Sequence, residues 1–187
     1  MIRFKFVLDN FLTSEECKLL IERSEGIGYE ESLIQTSGGQ IMNKDVRDNE
    51  RVIFDDEELS KSLFERVKEY LPKELDETAE WELLGLNERF RFYRYTDGQQ
   101  FKQHKDGSFA RNENEISKVT MIMYLNEEFK SGATRFVLEN EYIEPKTGRL
   151  LLFRHGIIHA GLPVFDGVKY VLRTDVMYKR KTIKNEN

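Results

Sequence analysis

The hydrophobic positions of this chain follow two periods. Near the start, Leu19, Leu20 and Ile21 supply the apolar side of a helix that closes near Gly26, and Thr13 with Glu16 has the spacing of a capping box. Leu59, Leu63, Val67 and Leu71 recur at every fourth position and predict a second helix over about 56–71, stopped by Pro72. From about residue 80 the period shortens to two. Arg89 to Tyr95 alternates in part, Thr96-Asp97-Gly98 turns the chain, and Phe101 to His104 reads as the next strand. Val119 to Leu125 is a strongly apolar strand, and Ser131-Gly132 opens another over Ala133 to Leu138. Pro145 to Gly148 turns into the buried run Leu150 to Phe153, and Val168 to Tyr178 is a long strand. Residues 2–8 read as a short strand, and Tyr29 to Gln40 as an irregular one ending in the loop Ser37-Gly38-Gly39. Residues 107–116 read as a polar loop, and the basic tail from Lys179 as frayed. Helices first and roughly six or seven strands afterwards predict a mainly β chain with N-terminal helices (α+β), the helices packed on a β-sandwich or barrel.

Composition narrows the classes. A length of 187 residues suits one domain with a single well-buried core. Hydrophobic residues at 39% and charged residues at 34% fit a folded protein with a well-solvated exterior. The net charge of −5 argues against broad nucleic-acid binding, though it leaves room for a local basic groove. No run of about 18 apolar residues is present, so a membrane span is not expected. The start, Met1-Ile2-Arg3-Phe4-Lys5, lacks the apolar segment of a signal peptide. The single cysteine, Cys17, reads as a buried structural thiol and suits a reducing, cytoplasmic setting.

The candidate chemistry lies in Phe101-Lys102-Gln103-His104-Lys105-Asp106-Gly107. On an extended chain, His104 and Asp106 leave the same face. His159, from a distant strand, would complete two imidazoles and a carboxylate, the facial set that holds non-haem Fe(II) with coordination positions left open. The chain has only three histidines, which makes the coincidence harder to dismiss. Each histidine taken alone is better read as an ordinary polar residue of a β-sandwich.

Residues 89–178 resemble the catalytic core of the prolyl 4-hydroxylase-like branch of the Fe(II)- and 2-oxoglutarate-dependent oxygenases. The matching pieces begin with Tyr95-x-x-Gly98-Gln99-x-Phe101-x-x-His104-x-Asp106, then Thr120-x-x-x-Tyr124-Leu125-Asn126 and Gly132-x-Thr134-x-Phe136. Pro145-x-x-Gly148-x-x-Leu151-x-Phe153 and His159-x-Gly161-x-x-Val164-x-x-Gly167-x-Lys169-Tyr170 follow. Phe11 to Cys17 is similar to that family's entry helix. Any one piece is weak; the ordered set is strong.

The resemblance implies a double-stranded β-helix (jelly roll, cupin-like), one domain over 1–187 with 1–80 as helical support and 81–178 as the core. It implies His104, Asp106 and His159 as ligands of Fe(II), with 2-oxoglutarate and O2 as co-substrates and room for ascorbate as an accessory. Lys169 falls where these enzymes pair a cation with the far carboxylate of 2-oxoglutarate. Arg173 shares that strand face and is a competing anchor. Tyr95 and Tyr124 match tyrosines placed around 2-oxoglutarate. The implied reaction is hydroxylation of a C–H bond with release of succinate and CO2, the leading substrate being a prolyl or other side chain of a peptide or protein.

Other residues receive plainer readings. His155 is a polar residue beside the site rather than a ligand, and Trp81 is a packing residue. Arg47 and Arg51 are surface arginines, with substrate contact as the alternative. The chain departs from collagen-type enzymes in lacking a tryptophan on the last strand and in having Gly132-Ala133 for Gly-Gly, which leaves the substrate open. Rival readings are a jelly-roll protein binding Zn or Ni without oxidation, a binding module without turnover, and an oxygenase acting on a small molecule or nucleic acid. Oligomeric state has no signal here.

Overall fold

The computed structural model describes residues 4–32, 34–36, 39–41, 48–75 and 80–181. Two antiparallel sheets face one another. The major sheet has nine strands, running Lys5–Leu8, Leu150–Arg154, Glu115–Tyr124, Lys169–Arg180, Arg89–Tyr95, Glu50–Asp55 and Glu30–Glu31. Trp81–Leu86 pairs with the far half of Lys169–Arg180, and Ala110–Asn112 with the start of Glu115–Tyr124. The minor sheet runs Glu141–Ile143, Thr134–Phe136, His159–Gly161 and Phe101–His104. This is the expected double-stranded β-helix, with two helices, α1 (Ser14–Ile27) and α2 (Glu57–Val67), on the outer side.

The alternation of side chains explains why the central strands are nearly continuous apolar runs: both faces are covered. Val119, Met121, Met123, Leu150, Leu152, Leu172 and Val176 share one core with Leu20 of α1 and with Leu63 and Val67 of α2. The residues between them point the other way. Tyr93, Tyr95, Tyr124, Leu151, Phe153 and Val171 meet Phe136 and Ile143 in a second core between the sheets. The site belongs to this second face.

Local signals place the helices. Thr13 caps α1 with the full reciprocal box to Glu16, and Asp56 accepts from the Leu59 amide at the start of α2. α1 extends past Gly26 to Ile27 and closes at Gly28, at φ +93°. α2 is shorter than the leucine spacing predicts. It ends at Val67 and tightens into a 3-10 turn over Lys68–Tyr70, although Leu71 is buried all the same. Cys17 is buried, and burial raises its thiol to about 11. Trp81 lies between Lys118 and Arg180 at the sheet edge, a packing position.

Four local readings need correction. Residues 107–116 are not one loop: Ala110–Asn112 pairs with a strand that starts at Glu115, ahead of the apolar run. Its polar residues are tolerated because that hairpin is exposed, with Arg111 paired to Glu88 and Glu115. The strand expected over Ala133 to Leu138 is shorter, Thr134–Phe136, since the chain turns over 137–140, with Asn140 at φ +50°. The stretch from Tyr29 is a short strand, Glu30–Glu31, followed by a separate pairing of Ile34–Thr36 with Gly39–Ile41. The tail is not frayed at Lys179, because Lys179 and Arg180 still pair with Glu82 and Trp81. Arg47 lies outside the described residues. Arg51 sits opposite Tyr93 in the major sheet.

Leu63, 2% exposed, fixes α2 to the major sheet. Leu63→Ala should lower the unfolding free energy by about 2–5 kcal/mol in urea denaturation. Glu65→Ala, on the solvated side, should change it by about 0.5 kcal/mol or less. Equal losses would mean that α2 is not held through Leu63.

Candidate active site

The minor sheet brings together a candidate ligand set. His104 ends the strand Phe101–His104, and His159 opens the strand beside it, directly opposite His104 in the register. Asp106 follows two residues beyond the strand end, and its carboxylate turns back between the two rings. The ligand atoms of His104, Asp106 and His159 all lie within 4.8 Å of one another. His104 Nε2 is 3.7 Å from Asp106 Oδ1, and His159 Nε2 is 3.8 Å from Oδ2.

Both imidazoles are fixed from behind. His104 Nδ1–H donates to the Lys102 carbonyl at 2.8 Å, and His159 Nδ1–H to the Ile157 carbonyl at 2.9 Å. That choice of tautomer leaves each Nε2 lone pair facing Asp106, as a metal ligand requires. Phe101 stacks on His104 at 3.5 Å between centroids, and Phe153 packs edge-on against His159.

Electrostatics keep the donors in ligand form. Burial, helped by the facing His159, lowers His104 to about 4, and burial lowers His159 as well. Burial alone would raise Asp106, but the Arg173 guanidinium, helped by the Thr120 hydroxyl, holds the carboxyl well below its usual range. Two neutral imidazoles and an ionised carboxylate, converging on one another, fit a divalent metal of the Fe(II) type.

The cavity beside this set is lined by Tyr93, Tyr95, Ile122, Tyr124, Thr134, Lys169, Val171 and Arg173, together with the triad, Phe101 and Gly161. Lys169 is 3% exposed. Its ammonium donates to the Gly132 carbonyl at 2.5 Å and lies 5.3 Å and 5.5 Å from the rings of Tyr95 and Tyr124. No carboxylate among the described residues pairs with it, and burial lowers it to about 7. A lysine has three N–H donors, so this one has capacity left for an anion. Tyr124 and Thr134 share a hydroxyl–hydroxyl bond of 2.7 Å at the same wall. A dicarboxylate that chelates a metal at one end fits the cation at the other.

Arg173 is engaged elsewhere: Nη1 lies 3.0 Å from Asp106 Oδ1 and Nη2 3.1 Å from Asp175 Oδ1. His155 stands outside the ligand set, bonded to Thr120 and Ser117 at 3.0 Å each. The matching motifs include Thr120 and Thr134 without a role for either, and Asp175 was not singled out. The signal was available, since Thr120 alternates with Ile122 and Tyr124, and Asp175 with Arg173.

Comparisons with known proteins agree with this geometry. Residues 90–174 match the 2OG-Fe(II) oxygenase superfamily. A prolyl 4-hydroxylase candidate of Acanthamoeba polyphaga mimivirus is 23% identical over 186 residues, covering 89% of this chain and 71% of its own. A viral collagen prolyl hydroxylase of Paramecium bursaria Chlorella virus-1, solved with 2-oxoglutarate, is 21% identical. It superposes with a TM-score of 0.65, covering 94% of this chain and 96% of its own. A prolyl-4-hydroxylase of Pseudomonas putida gives a TM-score of 0.66 at 17% identity, covering 96% and 94%. A prolyl hydroxylase of Trichoplax adhaerens, in complex with a hypoxia inducible factor peptide, gives 0.67 at 19% identity, covering 92% and 82%. At these identities the superpositions establish the fold.

The lowered value of His104 means that the neutral, metal-binding imidazole persists below the ordinary histidine midpoint. Mn(II) binding should therefore hold from neutral pH to about pH 5 and fall as pH approaches about 4. A loss centred near pH 6.5, the value of an exposed imidazole, would show that the ring is not desolvated.

Proposed function

We infer that this chain is a 2-oxoglutarate-dependent hydroxylase of the 2OG-Fe(II) oxygenase superfamily, acting on a prolyl or other side chain of a peptide or protein. The observation that carries the reading is the pairing, in one buried cavity, of the His104–Asp106–His159 set with the buried amine of Lys169, which forms no ion pair among the described residues. His104, Asp106 and His159 would hold Fe(II). Lys169 would pair with the far carboxylate of 2-oxoglutarate, and Tyr95 and Tyr124 would wall it in. When bound, iron would couple the oxidative decarboxylation of 2-oxoglutarate by O2, which gives succinate and CO2 and takes up one oxygen atom, to insertion of the other oxygen atom into a C–H bond. The protein's share is positional. The Nδ1 bonds aim the imidazoles, the second core excludes water, and the cavity wall sets the direction from which a C–H bond approaches.

A non-oxidative metal protein on the same fold leaves Lys169 without a purpose, since a buried ammonium facing a cavity is costly unless something pairs with it. A nucleic-acid substrate fits poorly with a net charge of −5. The peptide substrate rests on the relatives, whose names describe prolyl hydroxylation, one in complex with a peptide. A single domain over 1–187 is part of this reading. No helix among the described residues is long and apolar enough to cross a membrane. With one buried cysteine, we place the protein in the cytoplasm.

Incubation with Fe(II), 2-oxoglutarate, O2 and proline-containing peptides should give succinate and a peptide heavier by one oxygen atom. A metal-loaded protein that never forms succinate would favour the non-oxidative reading.

Lys169 gives a separate test. With burial lowering it to about 7, Lys169 is mostly neutral at pH 8, and an arriving anion restores the proton. Binding of 2-oxoglutarate to the Mn(II) protein at pH 8 should take up a proton, visible as buffer-dependent heat, and should weaken as pH rises. Lys169→Ala should lower the affinity by roughly 30-fold or more, the cost of unpairing a buried charge, and abolish the proton uptake. Unchanged affinity would remove Lys169 from the co-substrate site.

A further inference from the structure

Asp106 is held at both of its oxygens. On one side Arg173 Nη1 reaches Oδ1 at 3.0 Å, while Nη2 of the same guanidinium rests on Asp175, 2% exposed. Arg91 approaches the other oxygen of Asp175 at 3.5 Å. On the other side, the Thr120 hydroxyl donates to Oδ2 at 2.6 Å. An ionised carboxylate can only accept, so the single hydroxyl proton of Thr120 is committed to Asp106, and Thr120 must accept from His155 Nδ1–H at 3.0 Å. His155 Nε2 then accepts from the Ser117 hydroxyl at 3.0 Å, which in turn accepts from the Phe109 amide at 2.8 Å. Every proton in this chain has one consistent place.

The two arms rise from adjoining strands, since Thr120 and Asp175 are cross-strand partners in the major sheet. Asp106 hangs from the end of a minor-sheet strand. The clamp therefore reaches across the gap between the sheets to grip a ligand that its own strand no longer holds.

We propose that Arg173 and Thr120 are positioning residues that fix the Asp106 carboxylate in its metal-binding orientation, with Asp175 and His155 holding them in turn. Two of the three directions of the Arg173 guanidinium are committed to carboxylates; only Nε finds no acceptor among the described residues. Without Arg173, Asp106 and Asp175 would face each other as buried like charges, and Asp106 would swing away from the two imidazoles. Partners that orient metal ligands in this way are worth about 10- to 100-fold in metal affinity. The competing role, an anchor for the far carboxylate of 2-oxoglutarate, belongs to Lys169, which has no carboxylate partner.

This rests on the metal-centre reading above, and the experiment separates the two. Mn(II) affinity is measured from the electron paramagnetic resonance signal of the free ion, and 2-oxoglutarate affinity by calorimetry on Mn(II)-saturated protein. The expectation for Arg173→Gln and for Thr120→Val is a roughly 10- to 100-fold loss of Mn(II) affinity, with 2-oxoglutarate affinity of the saturated protein within about threefold of wild type. Lys169→Ala should show the reverse. Arg173→Lys keeps the charge but not the planar fork. It should lie between wild type and Arg173→Gln, and it carries the test if Arg173→Gln does not fold. Lost 2-oxoglutarate affinity with unchanged Mn(II) affinity in the Arg173 variants would overturn the proposal in favour of the anchor. So would no change in either. If wild type and His104→Ala bind Mn(II) equally, the metal centre itself fails and the proposal falls with it.

Discussion

A carboxylate taken out of water is the constraint around which this interior is arranged. Asp106 is 9% exposed and ionised, and a buried charge persists only with partners. Arg173 and Thr120 provide them, and the strands supplying these groups cannot shift register without breaking the set. The opposite end of the cavity shows the complementary condition: Lys169, a cation whose one protein acceptor is the Gly132 carbonyl. One end of the cavity can take a metal and the other an anion. A small dicarboxylate that chelates a metal completes both.

The two-layer packing makes this possible. Odd and even positions of the same strands serve different cores. Leu172 and Val176 anchor the major sheet to the helices, while Lys169, Val171, Arg173 and Asp175 face the other sheet. The helix-side core can therefore do without buried charges, and the charged residues concentrate on the face where a cavity can use them. Gly132 marks how close the fit is. At φ +75°, a Cβ there would come within 2.8 Å of the Phe129 ring and 3.4 Å of Lys169 Cδ. A side chain would push on the lysine whose ammonium its carbonyl receives.

Much of this was legible in the chain. Strands Arg89–Tyr95 and Phe101–His104 fall at their expected boundaries because period-two alternation and a glycine turn agree there. The approach of His159 to His104 could only be inferred through resemblance, because cross-strand register between distant segments has no local signature. The hairpin at Ala110–Asn112 was missed because an exposed strand stabilised by ion pairs has the composition of a loop. The grip on Asp106 was missed for a different reason. Threonine, serine and aspartate on a strand face look solvent-directed until the opposite sheet is known to cover them.

The most direct measurement is an anaerobic titration of the metal-free protein with Fe(II) and then 2-oxoglutarate, followed by visible absorption, in wild type and His104→Ala. Wild type should show the charge-transfer band of the iron–2-oxoglutarate chelate, and the variant none. Demonstrable metal binding in wild type without that band would contradict the oxygenase reading and leave a metal protein of another kind.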